Sequence, residues 1–428
     1  MTPAPPSVTR LPSGLRIATD STESVRSVSV GFFVKVGSRH EHPDQGGLSH
    51  FLEHLLFKGT DRFSSAEIDE LFDAMGAEVN AGTSKETTSL YGRFLDQHVE
   101  RALDVMGDML LRPSYPDIDS ERQVVLEEIA MYEDEPSDKV HDVLASAMYP
   151  GHALGRPIIG RAEVVAGVPV PRIAAYHDAA YVPQNVVVAA AGNIAHERVV
   201  ELASRAFDGL DRNGAAPPPS DSAPPEPAPA VRFHVKPTEQ YHLCLGGAGL
   251  ARSDERRFAL RVLDTAFGGS SSSRLFQEVR EKRGLAYSVY SYASQFVDAG
   301  QVAIYVGTRP DRIEEAMEVI GAELRRLADD PVRGEELERA KENVKGRTVL
   351  SMESTLARMN RLGAAVVCDV PALTLDEVLA RIDAVSAEDV EALAAELWAP
   401  DTLSAAGVGE AEEPFRAALD RVHPALAA

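Results

Sequence analysis

Two similar halves of mixed strand and helix, joined by a proline-rich spacer, are what this sequence predicts. Three observations carry the prediction. Segments with period-two alternation recur in pairs and are followed by helical runs. Residues 213–230, NGAAPPPSDSAPPEPAPA, are too rich in Pro, Ala and Ser to form a packed core, and read as a semi-extended spacer and domain boundary. The flanking stretches, 1–212 and 231–428, are nearly equal in length and repeat one another in pattern.

Taken in order, residues 13 to 36 give two strands, Gly14-Leu-Arg-Ile-Ala and then Ser27 to Val36. The polar loop from Gly37 to Gly47 follows, and its His40 and His42, set among charges, read as solvated surface. Gly46-Gly47 turns the chain into a helix around His50, which Gly59 closes. Ser64 or Ser65 caps a helix running to Met75, with a carboxylate three residues on. Gly76 to Gly82 and Thr87 to Phe94 read as a second strand pair, and helices over roughly 96–111 and 116–134 come next. After a loop from Tyr149 to Gly160, a helix ends near His177, a strand covers Asn185 to Gly192, and a helix lies near 196–209. His152, in the Gly/Pro-bounded loop, is assigned a structural hydrogen bond.

The chemistry gathers at His50-Phe51-Leu52-Glu53-His54. On a helix, residues four apart share a face, so His50 and His54 point the same way, as a pair of zinc ligands requires. Glu53 falls on nearly the same side, placed to poise a water. The order is the inverted form, His-x-x-Glu-His, of the His-Glu-x-x-His zinc helix. A solvated face would tolerate the same residues. The flanks Leu48, Phe51, Leu52, Leu55, Leu56 and Phe57 are apolar almost all round, however, and buried ionisable groups need partners. On the helix near 116–134, Glu121, Val124, Val125 and Glu128 share one face. A carboxylate there is costly without a cation, which makes Glu128 the better third ligand, with Glu121 as a second carboxylate. The remaining acids of that run, Glu127, Glu133 and Glu135, read as solvated. Two His and one Glu with an open position form a catalytic zinc set.

The repeat sharpens this. Asp44 to Gly59 aligns with Asp254 to Gly269 at a constant offset of 210, so that Phe57 meets Phe267 and Gly59 meets Gly269. Helix 96–111 resembles the run from Pro310, and helix 116–134 the run from Glu335 to Met352. In the second half Leu260, Leu263 and Asp264 replace His50, Glu53 and His54, so one zinc per chain is expected, in the first half. The Gly268-Gly-Ser-Ser-Ser-Ser loop precedes a helix as phosphate loops do, but it has neither the P-loop Lys-Ser/Thr nor Rossmann spacing.

Composition bounds the partners. The chain has 428 residues, 44% hydrophobic and 25% charged, which is ordinary for a globular protein. A formal net charge of −23 argues against nucleic acid or an anionic membrane as the main partner. The two cysteines, Cys244 and Cys368, lack metal-ligand spacing and fit a reducing compartment. No signal-peptide run and no membrane-length apolar stretch is found, so a cytoplasmic location is expected.

These motifs resemble the pitrilysin/insulysin clan of zinc metallopeptidases, in its short, bacterial, processing-peptidase-like branch. The matching stretches are His50 through Thr60, Glu121 through Glu128, the His152 loop, Tyr181-Val-Pro-Gln-Asn, and Arg280 through Tyr287. The resemblance implies an α+β fold of two homologous halves, each a mostly antiparallel sheet with helices on one face, in a clam-shell arrangement. It implies zinc bound by His50, His54 and Glu128, Glu53 as general base, and Glu121 in support. It further implies an edge strand at Asn80-Ala81 that pairs with substrate backbone, and Arg280 and Tyr287 as the second half's contribution to catalysis. A peptide substrate and a homodimer are the expected partners. The same fold serves elsewhere as a non-catalytic structural subunit, but such members usually lose part of the metal set, which is complete here.

Overall fold

The computed structural model describes residues 5–116, 118–210 and 224–427. Before the spacer the chain forms β1 (Ser7–Arg10), β2 (Arg16–Ser21), β3 (Ser27–Val34), α1 (Leu48–Leu55), α2 (Ser65–Met75), β4 (Glu78–Thr83) and β5 (Thr88–Leu95). There follow α3 (Val99–Leu111), α4 (Ile118–Asp134), α5 (Pro136–Met148), α6 (Ala162–Gly167), α7 (Val170–Ala180), β6 (Val186–Gly192) and α8 (His196–Ala206). After it come β7 (Val231–Val235), β8 (Tyr241–Ala248), α9 (Arg257–Phe267), β9 (Ala286–Gln295), β10 (Gly300–Thr308), α10 (Ile313–Asp329), α11 (Gly334–Ser351) and α12 (Thr355–Val367). The remainder is α13 (Leu375–Asp383), α14 (Ala387–Leu397), β11 (Ser404–Gly409), α15 (Glu412–Val422) and α16 (Pro424–Ala427). The fold is α+β with two sheets, as expected. Residues 213–223 of the spacer lie outside the described residues.

The chain divides into two compact units, and neither is contiguous. The first comprises Met1–Ile129, Arg156–Ser222 and Val349–Thr374; the second comprises Ala130–Gly155, Ala223–Thr348 and Leu375–Ala428. Cutting at the spacer therefore separates the two sets of strands but not the helices.

In the first unit six strands lie in the order β1-β2-β6-β3-β5-β4, antiparallel except for the β2–β6 pair. The central strands β3 and β6 are apolar on both faces, the pattern of strands covered on two sides. Phe32, Val188 and Ala190 face a core with Leu48, Leu52 and Leu55 of α1 and Met106 of α3. The alternate set, Phe33, Val187, Ala189 and Ala191, packs against Met359 and Val367 of α12. Close approach of α12 depends on two glycines. A Cβ on Gly31 would stand 2.5 Å from Met359 Sδ, and one on Gly363 would stand 2.1 Å from the Phe33 ring. Arg358 pairs with Asp20 at 3.0 Å and Arg16 with Asp369 at 2.7 Å, which fixes both ends of α12. The expected helical layer is thus joined by a helix on the other face.

The second unit has five strands in the order β7-β11-β8-β10-β9, with only β7–β11 parallel. Here α5 plays the part of α12: Val140, Leu144 and Met148 pack with Cys244 of β8 and Ala406 and Val408 of β11. His141 of the same helix bonds the hydroxyls of Tyr292 at 2.7 Å and Tyr290 at 3.2 Å. Helix α9 covers the positions that align with α1 at the offset of 210. Neither α5 nor β1 was anticipated from the sequence.

Candidate metal centre

Helix α1 begins at Gly47, whose φ of +99° is open to glycine at little cost. Leu48, Phe51, Leu52 and Leu55 then bury one face, which turns His50 and His54 toward α4. Their rings stand edge to face, with centroids 4.8 Å apart. From α4, Glu128 reaches both: Oε1 lies 3.6 Å from His50 Nε2, and Oε2 lies 3.3 Å from His54 Nε2. The ligand atoms of these three residues all fall within 4.8 Å of one another, and among the described residues they are the one such group of three or more.

The surroundings prepare these atoms. His54 Nδ1 is 2.8 Å from Glu121 Oε1, so the ring donates from Nδ1 and keeps the Nε2 lone pair bare. Glu121 is buried and is also paired through Oε2 with Lys58 Nζ at 2.6 Å. Burial, with His54 close by, pushes His50 down to about 4, which holds its ring neutral, the form that binds metal. Its Nδ1 is buried without a hydrogen-bond partner among the described residues. Glu53 takes a hydrogen bond from Thr83 Oγ1 of β4 at 2.5 Å, and burial raises its carboxyl above the ordinary range. Two imidazoles and a carboxylate, converging within 4.8 Å, fit zinc by donor type and number.

The face of α4 differs in one respect from expectation. Val124 is half exposed, and the buried residues are Glu121, Val125 and Ile129, because the helix is covered along a narrower strip than the sequence suggests. Glu127, Glu133 and Glu135 are exposed. His40 also differs: it is half-buried and accepts from Gly37 N at 3.1 Å, while His42 is exposed. His152 accepts from Leu154 N at 3.1 Å. At the position aligned with His54, Asp264 accepts from Ser291 Oγ at 2.5 Å, and burial raises its carboxyl to about 6.

Asn80 and Ala81 lie on β4, the edge strand of the first sheet, opposite Tyr91 and Leu90 of β5. The Ala81 amide donates to Asn80 Oδ1 at 2.8 Å. In the second unit Arg280 and Tyr287 meet one another. The guanidinium lies 4.5 Å from the Tyr287 ring centre, Nη1 donates to the Tyr287 carbonyl at 3.0 Å, and the Tyr287 side chain is exposed. Thr83, Glu41 and the pairing of Lys58 with Glu121 escaped the sequence reading, since only folding brings these groups together.

A family model described as Insulinase (Peptidase family M16) matches residues 16–162, and one described as Peptidase M16 inactive domain matches residues 168–344. The chain belongs to peptidase family M16. An M16 relative from Streptomyces coelicolor, named an uncharacterized zinc protease, is 46% identical over 90% of this chain and 86% of its own. One of the same description from Bacillus subtilis is 42% identical over 91% of this chain and 95% of its own. A protease of Helicobacter pylori shares the fold with a TM-score of 0.89 at 22% identity, covering 96% of this chain and all of that one. An M16 inactive domain from Pseudomonas fluorescens superposes at 0.88 with 21% identity, covering 95% and 98%. His50, Glu53, His54 and Glu128 fall in the stretch matched by the first model, Arg280 and Tyr287 in that matched by the second. Among the described residues no helix is long and apolar enough to cross a membrane.

Proposed function

We propose that the chain is a zinc-dependent endopeptidase acting on unfolded peptides or presequence-like segments. The observation that carries the reading is the convergence of His50, His54 and Glu128 beside the Glu53 carboxylate. When bound, zinc supplies Lewis-acid polarisation of the scissile carbonyl and a lowered water pKa. His50 and His54 would hold it through Nε2 and Glu128 through a carboxylate oxygen, with Glu121 orienting the His54 ring. Glu53 takes the proton of the attacking water and returns it to the leaving amine. Thr83 holds Oε2 of Glu53, leaving Oε1 to carry that proton.

Substrate would join β4 as an added strand, displacing the contact between Ala81 and Asn80 and gaining affinity from backbone pairing. Arg280 and Tyr287, already stacked on one another, are proposed as donors to the substrate carbonyl and its oxyanion, on the family resemblance. The resemblance also supports a homodimer, which light scattering on the purified chain checks. A purely structural role would leave the half-buried Glu53 carboxylate beside the two imidazoles without use.

Metal analysis decides first. One zinc per chain is expected, lost in His50→Ala and Glu128→Gln together with cleavage of an unstructured peptide library. Two zincs per chain, or none after zinc loading, would sink the assignment.

A further inference from the structure

Helix α1 is only eight residues long, so its amino-terminal N–H groups are a large share of its backbone donors. Two of the amides there go to a single side chain. Glu41 Oε2 accepts from Gly47 N at 2.9 Å, and Oε1 accepts from Ser49 N at 2.6 Å. Glu41 comes from the loop after β3 and is 1% exposed. The helix has no local substitute. Its capping position is Gly47, where a Cβ would meet Ile159 O at 2.8 Å and Gly160 Cα at 2.9 Å, so no Ser, Asp or Asn can cap it from there.

Burying this carboxylate is expensive. Burial raises Glu41 to about 7, and the bonds from Ser49 and Gly47 with the Arg156 charge offset that only in part. The groups facing it are few: the Ser49 hydroxyl, itself bonded to Tyr176 OH at 2.8 Å; Tyr176; and Arg156, whose Nη2 donates to the Glu41 carbonyl at 2.7 Å. A neutral Gln would fill the same space at lower desolvation cost, so stability alone does not account for a carboxylate one residue from His50 in its contacts.

We propose that Glu41 is a positioning residue, whose carboxylate pins the first turn of α1 and so sets the rotation and height at which His50 and His54 meet Glu128. The proposal rests on the metal reading given above. It is tested on the full-length chain by zinc affinity, from competition with a chromophoric chelator at pH 8, and by melting of the metal-free protein. Glu41→Gln sets an amide NH2 against a backbone N–H, and about 10–100-fold weaker zinc binding is expected, the scale for groups that orient ligands. Its metal-free Tm should stay at or above wild type, because a buried charge is gone. Glu41→Asp keeps the charge one methylene short, should also bind zinc more weakly, and serves if the Gln variant does not fold. Wild-type affinity in either folded variant overturns the proposal. So does a parallel fall of Tm and affinity in both, which marks a cap that only stabilises. A wild-type chain that takes up no zinc is a separate result: it overturns the metal reading beneath.

Discussion

At the residue scale, Glu53 and Glu121 differ in what they touch, and their variants should fail differently. Glu53 is bonded to Thr83 and is not one of the three converging ligand residues, so Glu53→Gln should retain zinc and lose about 10²–10⁴-fold in kcat. Zinc content and peptide cleavage measured on one preparation check this; near wild-type turnover would show that Glu53 is not the base. Glu121→Ala strands both His54 Nδ1 and Lys58 Nζ. About 10–100-fold weaker zinc affinity is expected, with the metal still bound at saturation, and chelator competition reads it. His50, Glu53 and His54 were legible because four residues make one helical turn, a spacing that the sequence displays directly. Thr83 was not, because 30 residues separate it from its partner and nothing local says that β4 passes beside α1.

At the scale of elements, the seat of α12 and the cap of α1 each give a prediction. Gly363→Ala drives a methyl into the ring of Phe33, which is buried in the core beneath α12. A loss of about 1–3 kcal/mol is expected from such overpacking, read by urea unfolding; an unchanged midpoint would show that α12 shifts freely. For Glu41, the folded pKa of about 7 stands above the ordinary carboxylate value. Its contribution is therefore present at acid pH and lost as pH rises through about 7. Metal-free wild type should lose Tm relative to Glu41→Gln over that window, and a constant difference would contradict the assignment. Most elements were readable from alternation and caps; the box of Ser64 and Glu67 at α2 is one. Helix α5 was hidden by Pro136, which reads as the end of α4 but serves as the first residue of a new helix, where a missing N–H costs nothing.

For the whole molecule, the non-contiguous units govern what can be dissected. Residues 1–212 contain every proposed metal ligand and all six strands of the first sheet, but not α12. Expressed alone, that fragment leaves Phe33, Val187, Ala189 and Ala191 uncovered, and it should aggregate or bind an apolar dye strongly. A monomeric, zinc-binding fragment with a cooperative melt would contradict this. The run of β6 is apolar on both faces, but which segment covers the outer one was beyond local pattern, because α12 follows four of the second sheet's five strands in the chain.

That placement of α12 sets a timetable for synthesis. The last strand of the first sheet ends at Gly192, and its outer cover begins at Thr355. At roughly 5–20 residues per second, a ribosome needs on the order of 10–30 s to make the intervening chain. Throughout that interval the nascent sheet carries a bare apolar face in the crowded cell, an interval far longer than local folding takes. The delay makes the growing polypeptide a client for holding chaperones, and it makes translation speed between the two halves a determinant of yield.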